Sequence, residues 1–260
     1  MIELIRRGAV AWVTIRRADK KNAMSEAMWA QLLAALEQVA AEHAASGGRM
    51  PRALVLTGEP GAFCAGADIA ELTELLKDSA AMAANNALVA RAQLALEQSP
   101  LPTLALIDGP CFGGGFGLAA ACDFRIASQR AVFAITPAKL GLMYSIEDSR
   151  RVVRLLGDAR ARRLLLRGIR LDASTAQAWG MLDALAEPQE LAALAQVWVD
   201  DICAQSPTSM AGIKATLRHL DEPSAGGETA VRAAFDAAFR GADFAEGAAA
   251  FLERRPAQFH

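Results

Sequence analysis

The fold is decided by a stretch that begins Leu104-Ala105-Leu106-Ile107-Asp108-Gly109 and continues, three residues later, as Gly113-Gly114-Gly115-Phe116-Gly117-Leu118. An apolar run, a glycine cluster and an alanine-rich segment, in this order, are typical of a buried strand, a loop and a helix. Small residues stand where the helix begins, and the backbone N–H groups there have no partner inside the helix. An oxygen atom of a ligand can therefore approach the backbone at this point.

A second stretch repeats this order of elements. Leu54-Val55-Leu56-Thr57-Gly58 is followed by Phe63-Cys64-Ala65-Gly66-Ala67-Asp68-Ile69, which leads into a helix with Asp68 as its candidate N-cap. If N–H groups of the two stretches converge on one point, they form an oxyanion hole, and the helix dipole strengthens it. The alternative is that the glycines only allow a helix and a strand to pack closely.

Strand and helix patterns alternate over the first half of the chain, which predicts an α/β fold. Apolar runs at residues 2–5 and 10–15 predict an N-terminal hairpin, and helices are expected over residues 22–43 and 85–98. From Glu147 onwards the pattern is almost wholly helical. The organisation expected is a core of residues 1–190, which holds the site, and a helical C-terminal region of residues 191–260 in the same functional unit.

Composition excludes several classes of protein. The chain has 260 residues, 53% of them hydrophobic, and a net charge of −2 with no long basic cluster, so nucleic acid is not an expected partner. Four cysteines without C-x-x-C spacing predict neither a zinc site nor a disulfide framework. No uncharged apolar run is long enough for a membrane span, and no signal peptide is recognisable, so a cytoplasmic protein is expected.

Other catalytic motifs are weak or missing. Residues 115–120 fit the loose G-x-G-x-x-A dinucleotide pattern, but no acidic residue follows at the end of a second strand about 20 residues later. The three histidines, His43, His219 and His260, are expected at the surface, so none of them is an obvious general base.

Taken together, the segments resemble the crotonase superfamily, the enoyl-CoA hydratase/isomerase group. Lys21-Asn22-Ala23-Met24 resembles its early CoA-side motif, residues 63–69 its F-x-A-G-A-D-I loop, and residues 113–115 its second glycine loop. Trp179-Gly180-Met181-Leu182-Asp183 resembles the end of its A-x-x-A-x-x-x-G-L-V-D stretch, and residues 239–259 resemble its closing segment. The resemblance extends over essentially the whole chain in order.

This resemblance implies a spiral of ββα turns with a helical C-terminal trimerisation region, assembled as a homotrimer or homohexamer. It implies that the N–H groups of Ala67 and Gly114 hold the thioester oxygen of an acyl-CoA as it gains charge in an enolate. The CoA thioester is then the substrate, with no tightly bound cofactor and no metal. Residues implied to line the CoA are Asn22, Ala23, Met24, Cys64, Ala65, Asp68 and Ile69.

The chain departs from the family pattern where the hydratases carry two catalytic glutamates. The first falls at Gly117 and the second at Pro137, while an aspartate used by some isomerases and a dehalogenase branch falls at Ser145. Glycine and proline neither take nor give a proton, and an unassisted serine is a poor base. The sequence therefore argues against two-glutamate syn-hydration.

Residues 136–144 resemble instead the T-P-x-N-L-G-x-P-Y stretch of methylmalonyl-CoA decarboxylase, whose tyrosine aligns with Tyr144. A phenol with an ordinary pKa of about 10 suits a donor better than a base. The match is incomplete, because the decarboxylase has a histidine in place of Ala67 and a glutamate in place of Gly117. The alternative for Tyr144 is a loop residue that packs its ring and leaves its hydroxyl in water.

Glu147 and Asp148 are the nearest carboxylates, and they stand at the start of a helix. They are either favourable charges in the first helical turn or a displaced acid/base group. Lyase-type chemistry, either decarboxylation or a retro-aldol-like cleavage, is expected ahead of isomerisation or hydration. An acyl-CoA binding protein that keeps the hole but has lost turnover is the alternative from another class.

Overall fold

Nine strands and ten α-helices follow one another over residues 1–259, the part of the chain that the computed structural model describes. The strands are β1 (Ile2–Arg7), β2 (Val10–Ile15), β3 (Ala53–Gly58), β4 (Thr103–Ile107), β5 (Pro110–Phe112), β6 (Phe124–Ser128), β7 (Val132–Ala134), β8 (Arg170–Asp172) and β9 (Ala184–Ala186). The helices are α1 (Glu26–Ala45), α2 (Ile69–Leu75), α3 (Ser79–Glu97), α4 (Gly114–Ala121), α5 (Ile146–Arg167), α6 (Ala173–Ala178), α7 (Leu191–Cys203), α8 (Pro207–Asp221), α9 (Gly227–Ala238) and α10 (Ala242–Glu253).

The strands form two sheets. The larger has the order β1-β2-β3-β4-β6-β9, in which β1 and β2 pair antiparallel and every other pair is parallel. The smaller has the order β5-β7-β8. The chain thus places one strand in each sheet and then a helix, first as β4-β5-α4 and then as β6-β7-α5. The expected spiral of ββα turns is confirmed.

The central strands β3 and β4 are almost wholly apolar because the large sheet is covered on both faces. In β3, Leu54 and Leu56 pack into one hydrophobic cluster, with residues of α1, α3 and α4, whereas Ala53 and Val55 pack into another. Side chains alternate across a strand, so a strand covered on both faces reads as a continuous apolar run. Helix α7 covers the second face with residues at helical spacing, namely Leu191, Ala195, Val199 and Ile202.

Several boundaries differ from the sequence-based expectation. Helix α1 begins at Glu26 rather than near residue 22, because Lys21 and Asn22 have positive φ and Ser25 caps the helix by accepting a hydrogen bond from Met28 N. Helix α3 begins at Ser79, capped by Asp78, rather than at residue 85. Strand β5 was not expected, and β8 and β9 interrupt a region predicted to be helical. A strand of three residues is too short to show a period in the sequence, so it is recognised only by the strands with which it pairs.

His43 is buried, so its predicted surface position is wrong: its Nδ1 atom lies 2.9 Å from the carbonyl oxygen of Pro51. Asp68 does cap α2, as expected, by accepting a hydrogen bond from Ala70 N. Among the described residues, no helix is both long and apolar enough to cross a membrane.

Candidate active site

The loop of residues 63–67 is held between two neighbouring segments. On one side, Cys64 N donates to the carbonyl of Pro110 at 3.0 Å, and Phe112 N donates to that of Cys64 at 2.9 Å. On the other side, Met24 N donates to the carbonyl of Gly66 at 2.8 Å, and Asp68 N donates to that of Met24 at 2.9 Å. The loop thus bridges β5 and residue 24, and these hydrogen bonds fix the backbone on either side of Ala67.

The second glycine loop begins directly after β5, where Gly113 precedes the first residue of α4. Gly113 has φ 50° and ψ −115°, which an L side chain does not adopt without strain. Its N–H donates to the carbonyl of Ala134 at the end of β7, at 3.0 Å. Because β5 pairs with residue 64 on one side and with β7 on the other, the two loops end side by side.

The backbones of the two loops are in contact. A Cβ atom placed on Gly66 would lie 3.5 Å from Gly114 N, and one placed on Gly114 would lie 4.0 Å from the Cα atom of Gly66. Within the described part of the chain, neither Ala67 N nor Gly114 N donates a hydrogen bond. Two free N–H groups on adjacent loops, one of them at a helix N-terminus, form an arrangement that can bind an oxygen carrying negative charge.

Trp29, which the sequence did not single out, lies beneath this pair. Its Cζ2 atom would lie 3.2 Å from a Cβ atom at Gly114, and the indole is almost fully buried. Any side chain at position 114 would therefore press against a rigid ring.

The Asp148 carboxylate reaches the space beside Gly117, where the family glutamate would stand. A Cβ atom at Gly117 would lie 2.5 Å from Asp148 Oδ1 and would also overlap the amide nitrogen of Gln93. Asp148 is only 6% exposed although it belongs to the first turn of α5. The glycine in α4 thus leaves room for a carboxylate that comes from α5.

Arg151 and Gln93 surround this carboxylate. Arg151 Nη1 donates to Asp148 Oδ1 at 3.0 Å and to Gln93 Oε1 at 3.2 Å, while its Nε and Nη2 donate to Glu97 Oε2 at 2.9 and 2.6 Å. Gln93 Nε2 faces the same space without a hydrogen bond of good geometry. Burial raises the pKa of Asp148 above its ordinary value, although the guanidinium of Arg151 opposes that rise.

Tyr144 lies near this cluster, in the turn before α5. Its hydroxyl donates to the carbonyl oxygen of Gly113 at 2.9 Å, and its ring packs against the main hydrophobic cluster. Burial of the hydroxyl raises the pKa of Tyr144 well above its ordinary value, and the nearby Asp148 carboxylate adds to that rise. The phenol therefore stays protonated.

Glu147 stands apart from these groups. Its side chain is exposed, and within residues 1–259 it makes neither a hydrogen bond nor an ion pair. Of the two neighbouring carboxylates singled out from the sequence, the structure brings only Asp148 to Gly117.

The residues expected to line the CoA fall into two groups. Asn22, Met24 and Cys64 have buried side chains, whereas Ala23, Ala65, Asp68 and Ile69 are partly or well exposed. The amide of Asn22 accepts from Arg17 N and donates to the carbonyls of Glu59 and Ala62, so this side chain is fully used in holding the loops together. Asp68 pairs with Arg17 at 2.7 Å, and the hydrogen bond from that guanidinium lowers the pKa of Asp68.

The cysteines near the loops carry no reactive thiolate. Burial raises the pKa of Cys64 to about 12 and raises that of Cys111 well above its ordinary value.

No group of three or more histidine, cysteine, aspartate or glutamate side chains in residues 1–259 is arranged to hold a metal ion. A cavity of about 270 Å³ lies at the other end of α4, next to Cys122, Arg125 and Lys214, away from the pair of N–H groups.

Three neighbours of the candidate site were missed from the sequence: Trp29, Gln93 and Arg151. Each lies on a helix whose apolar spacing predicts which face is buried but not what that face contacts. Gln93, moreover, is 55 residues from Asp148 in the chain. Nothing in the sequence pattern indicates that α3 and α5 meet beside α4.

Comparisons with known proteins show one family that matches the chain over almost its whole length. The family model described as enoyl-CoA hydratase/isomerase matches residues 6–260. A probable enoyl-CoA hydratase of Mycobacterium bovis is 31% identical over 261 residues, which cover 100% of this chain and 99% of the relative. A probable enoyl-CoA hydratase of Rhizobium meliloti is 33% identical over 253 residues, which cover 97% of this chain and 95% of the relative. The crystal structure of an enoyl-CoA hydratase/carnithine racemase from Magnetospirillum magneticum superposes with a TM-score of 0.90 at 31% identity, covering 100% of this chain and 95% of that one.

Proposed function

The chain belongs to the enoyl-CoA hydratase/isomerase family, the crotonase superfamily, and on that premise we propose that it is an acyl-CoA lyase that cleaves a carbon–carbon bond through a thioester enolate. The observation that supports an enolate intermediate is the pair of free N–H groups of Ala67 and Gly114 on adjacent loops. Fixed donors stabilise the charged oxygen of the enolate more than the neutral carbonyl of the bound thioester, and this difference lowers the barrier.

The absence of glutamates at positions 117 and 137 favours cleavage over hydration. In a decarboxylation, the bond between the α-carbon and the carboxylate breaks, carbon dioxide leaves, and the electron pair enters the enolate. No proton has to be removed from carbon, so neither Gly117 nor Pro137 is a deficiency for this reaction. A proton must then be delivered to the α-carbon.

Asp148 is the proton donor that this proposal assigns. Its carboxyl lies beside Gly117, one helical turn from Gly114, and burial raises the pKa of Asp148 towards the range of a proton donor, although the guanidinium of Arg151 opposes that rise. The hydroxyl proton of Tyr144 is directed at the Gly113 carbonyl, and Glu147 is exposed. Of the three sequence candidates, Asp148 alone has a buried carboxyl beside Gly117, an acid group that can exchange a proton.

Double-bond isomerisation is the second candidate, and the position of Asp148 favours it as well. One carboxylate that takes a proton from one carbon and returns it to another is sufficient for a 1,3-shift. Asp148 lies where the family places an acid/base glutamate, and the family is described as hydratase/isomerase. Under either reaction the CoA runs past residues 22–24 and 64–69, bound largely through backbone groups, since several of these side chains are buried.

Assembly as a homotrimer or homohexamer, in the cytoplasm, completes the proposal. Helices α8 to α10 expose large apolar side chains, among them Phe235, Phe239, Phe251 and Leu252. Large apolar side chains exposed in this number are typical of a surface that is covered on association. Light scattering of the purified protein tests the stoichiometry.

The function is tested by mass spectrometry of the purified protein incubated in heavy water with crotonyl-, 3-enoyl-, malonyl- and methylmalonyl-CoA. Loss of carbon dioxide with one deuterium retained at the α-carbon is expected. Deuterium gain with a shifted double bond would support the isomerase instead, and addition of water would contradict the argument from Gly117 and Pro137. Binding of the thioesters without any exchange would identify a non-catalytic acyl-CoA binding protein.

A matched pair of variants tests the proton donor. Asp148→Asn is expected to lower kcat about a hundredfold or more, within the range known for general acid catalysis. Glu147→Gln, the neighbouring and exposed carboxylate, is expected to leave kcat unchanged. Equal losses in the two variants would overturn the assignment of Asp148.

A further inference from the structure

A single peptide unit links the Tyr144 hydroxyl to the proposed oxyanion donor. The carbonyl of Gly113 and the N–H of Gly114 belong to the same planar amide. The carbonyl oxygen accepts a hydrogen bond from the Tyr144 hydroxyl at 2.9 Å and a second from Gly117 N at 3.0 Å. Both of its lone pairs are therefore used, and the N–H at the other end of the amide has no partner in the described chain.

Hydrogen bonds to an amide oxygen strengthen the donor at the opposite end. When the oxygen accepts, electron density shifts towards it and the N–H becomes a better donor, so bonds in such a chain reinforce each other. The Tyr144 hydroxyl thus increases the positive character of Gly114 N–H at the position where the thioester oxygen gains charge.

The same bond holds the amide plane in place. Gly113, with φ 50° and ψ −115°, has no side chain that could restrict rotation of this peptide. Its orientation depends on hydrogen bonds: Gly113 N to Ala134 O before the amide, and those from Tyr144 and Gly117 to the amide oxygen. Without the phenol, Gly117 N is the one partner that this oxygen keeps among residues 1–259, and the direction of the Gly114 N–H is less firmly fixed.

The position of Tyr144 suits this role. The flanking residues Met143 and Ile146 are exposed, 94% and 71% respectively, whereas the tyrosine ring packs inwards against the main cluster. Its hydroxyl is thereby fixed next to the second glycine loop, and it stays protonated because burial raises the pKa of Tyr144 well above its ordinary value.

We propose that Tyr144 is a positioning residue, whose hydroxyl orients and polarises the Gly113–Gly114 peptide so that Gly114 N–H binds the thioester oxygen. The inference rests on the proposed function, because it requires a thioester at Ala67 and Gly114. It differs from a role as proton donor: the phenol acts through the backbone and does not touch the α-carbon.

The experiment measures polarisation of a bound thioester directly. 4-(Dimethylamino)cinnamoyl-CoA absorbs at longer wavelength when its thioester carbonyl is polarised, so a red shift on binding reports the strength of the hole. The wild-type protein is expected to bind it with a red shift, and Tyr144→Phe is expected to bind it with a clearly smaller one. Met143→Leu, an exposed neighbour in the same turn, is the control and keeps the wild-type shift.

Steady-state kinetics with the substrate that the protein converts are a second measurement. Weakening one oxyanion donor without removing it is expected to lower kcat about tenfold while KM changes less than about threefold. An unchanged red shift in Tyr144→Phe would overturn the positioning role even if kcat fell, because the phenol would then act on the substrate itself. Absence of binding and red shift in the wild-type protein would contradict the proposed function rather than the role of Tyr144.

Fluorinated tyrosine keeps the test valid if Tyr144→Phe does not fold. The chain has one tyrosine, so growth on 3-fluorotyrosine alters Tyr144 alone and leaves every other residue unchanged. Fluorine makes the phenol a stronger donor, and at mildly acidic pH it remains protonated. The red shift is expected to exceed that of the unlabelled protein, and an equal or smaller shift would count against polarisation through the peptide.

Discussion

The Oδ1 atom of Asp148 lies 2.5 Å from the position that a Cβ atom would take at Gly117. The two residues are 31 positions apart and belong to α4 and α5. The lack of a side chain at Gly117 and the burial of Asp148 therefore depend on each other: Gly117 leaves a space in the interior, and the carboxylate of Asp148 occupies it. Introducing the family glutamate at position 117 alone would require Asp148 and Gln93 to move.

Gly117→Ala tests this mutual fit. The methyl group would displace Asp148 and Gln93, which are side chains and can yield, so we expect a loss of about 1–2 kcal/mol in the free energy of unfolding after the gain in helix propensity. We also expect kcat to fall more than about tenfold, because the proton donor moves. Urea unfolding and steady-state kinetics measure the two effects.

Gly115→Ala is the comparison for that variant. Its Cβ atom would overlap the backbone carbonyl of Cys64, which is hydrogen-bonded to Phe112 N and cannot move away. A loss of more than about 3 kcal/mol is expected, larger than for Gly117→Ala. The reverse order of the two losses would contradict this description of α4.

Asp148→Asn is expected to change the pH dependence of stability. Burial raises the pKa of Asp148 in the folded state above its unfolded value of about 3.9. The folded protein therefore binds this proton more tightly than the unfolded chain does, and the free energy of unfolding falls as the pH rises from about 3.9 through the folded-state pKa. Asparagine keeps an acceptor for Arg151 and does not ionise. The Tm of the wild type, relative to that of the variant, should therefore fall as pH rises through this window.

The groups around Asp148 define the control for that measurement. Arg151 and Tyr144 lie next to Asp148, and Glu97 is bound to Arg151. Although burial opposes it, the guanidinium of Arg151 lowers the pKa of Glu97, whereas burial raises that of Tyr144 well above its ordinary value. Glu147→Gln, which removes an exposed carboxylate from the same helical turn, is the control. If both variants follow the wild type at every pH, the pKa of Asp148 is not raised.

Gly66→Ala is expected to damage the site more than the fold. Gly66 has φ 99°, and a Cβ atom would lie 3.0 Å from the carbonyl oxygen of Phe112, so the loop that carries Ala67 must shift. The expected cost is about 1–3 kcal/mol in stability, together with a loss of about a hundredfold in kcat as one oxyanion donor moves. Urea unfolding and kinetics again separate the two.

Gly180→Ala is the matched control for Gly66→Ala. It has φ 78° and open space around the added methyl group, so it imposes strain at a distance from the two loops. We expect Gly180→Ala to lose about as much stability as Gly66→Ala while its kcat stays at the wild-type value. A comparable fall in kcat would show that strain alone, rather than the position of Ala67, explains the loss.

Asn22→Ala should destabilise the loops that frame the site. It removes one acceptor and two donor hydrogen bonds of a side chain that is fully buried, leaving Arg17 N and the carbonyls of Glu59 and Ala62 unpaired. A loss of about 2–4 kcal/mol is expected, with added strain because Asn22 has φ 58°. Asn86→Ala, an exposed asparagine in α3, should lie within about 0.5 kcal/mol of the wild type in the same urea titration.

The sequence by itself determined the elements whose signal is local. Continuous apolar runs such as residues 54–56 and 104–107 predict buried strands, and the burial of β3 and β4 on both faces agrees. Asp68 was recognisable as a helix cap because capping depends on neighbouring residues. The motif residues in their order along the chain were sufficient for the family, and the absence of glutamate at positions 117 and 137 is visible without coordinates.

Only the tertiary structure decided which groups meet at the site. The Tyr144 hydroxyl reaches Gly113 across 31 residues, Asp148 reaches Gly117 across 31, and Gln93 reaches Arg151 across 58. The strands β5, β8 and β9 exist because partners pair with them, not because three residues show a period. Local propensity acts over a few residues, whereas these contacts depend on how α3, α4 and α5 pack against one another, and that packing brings a carboxylate to the place where the sequence shows only a glycine.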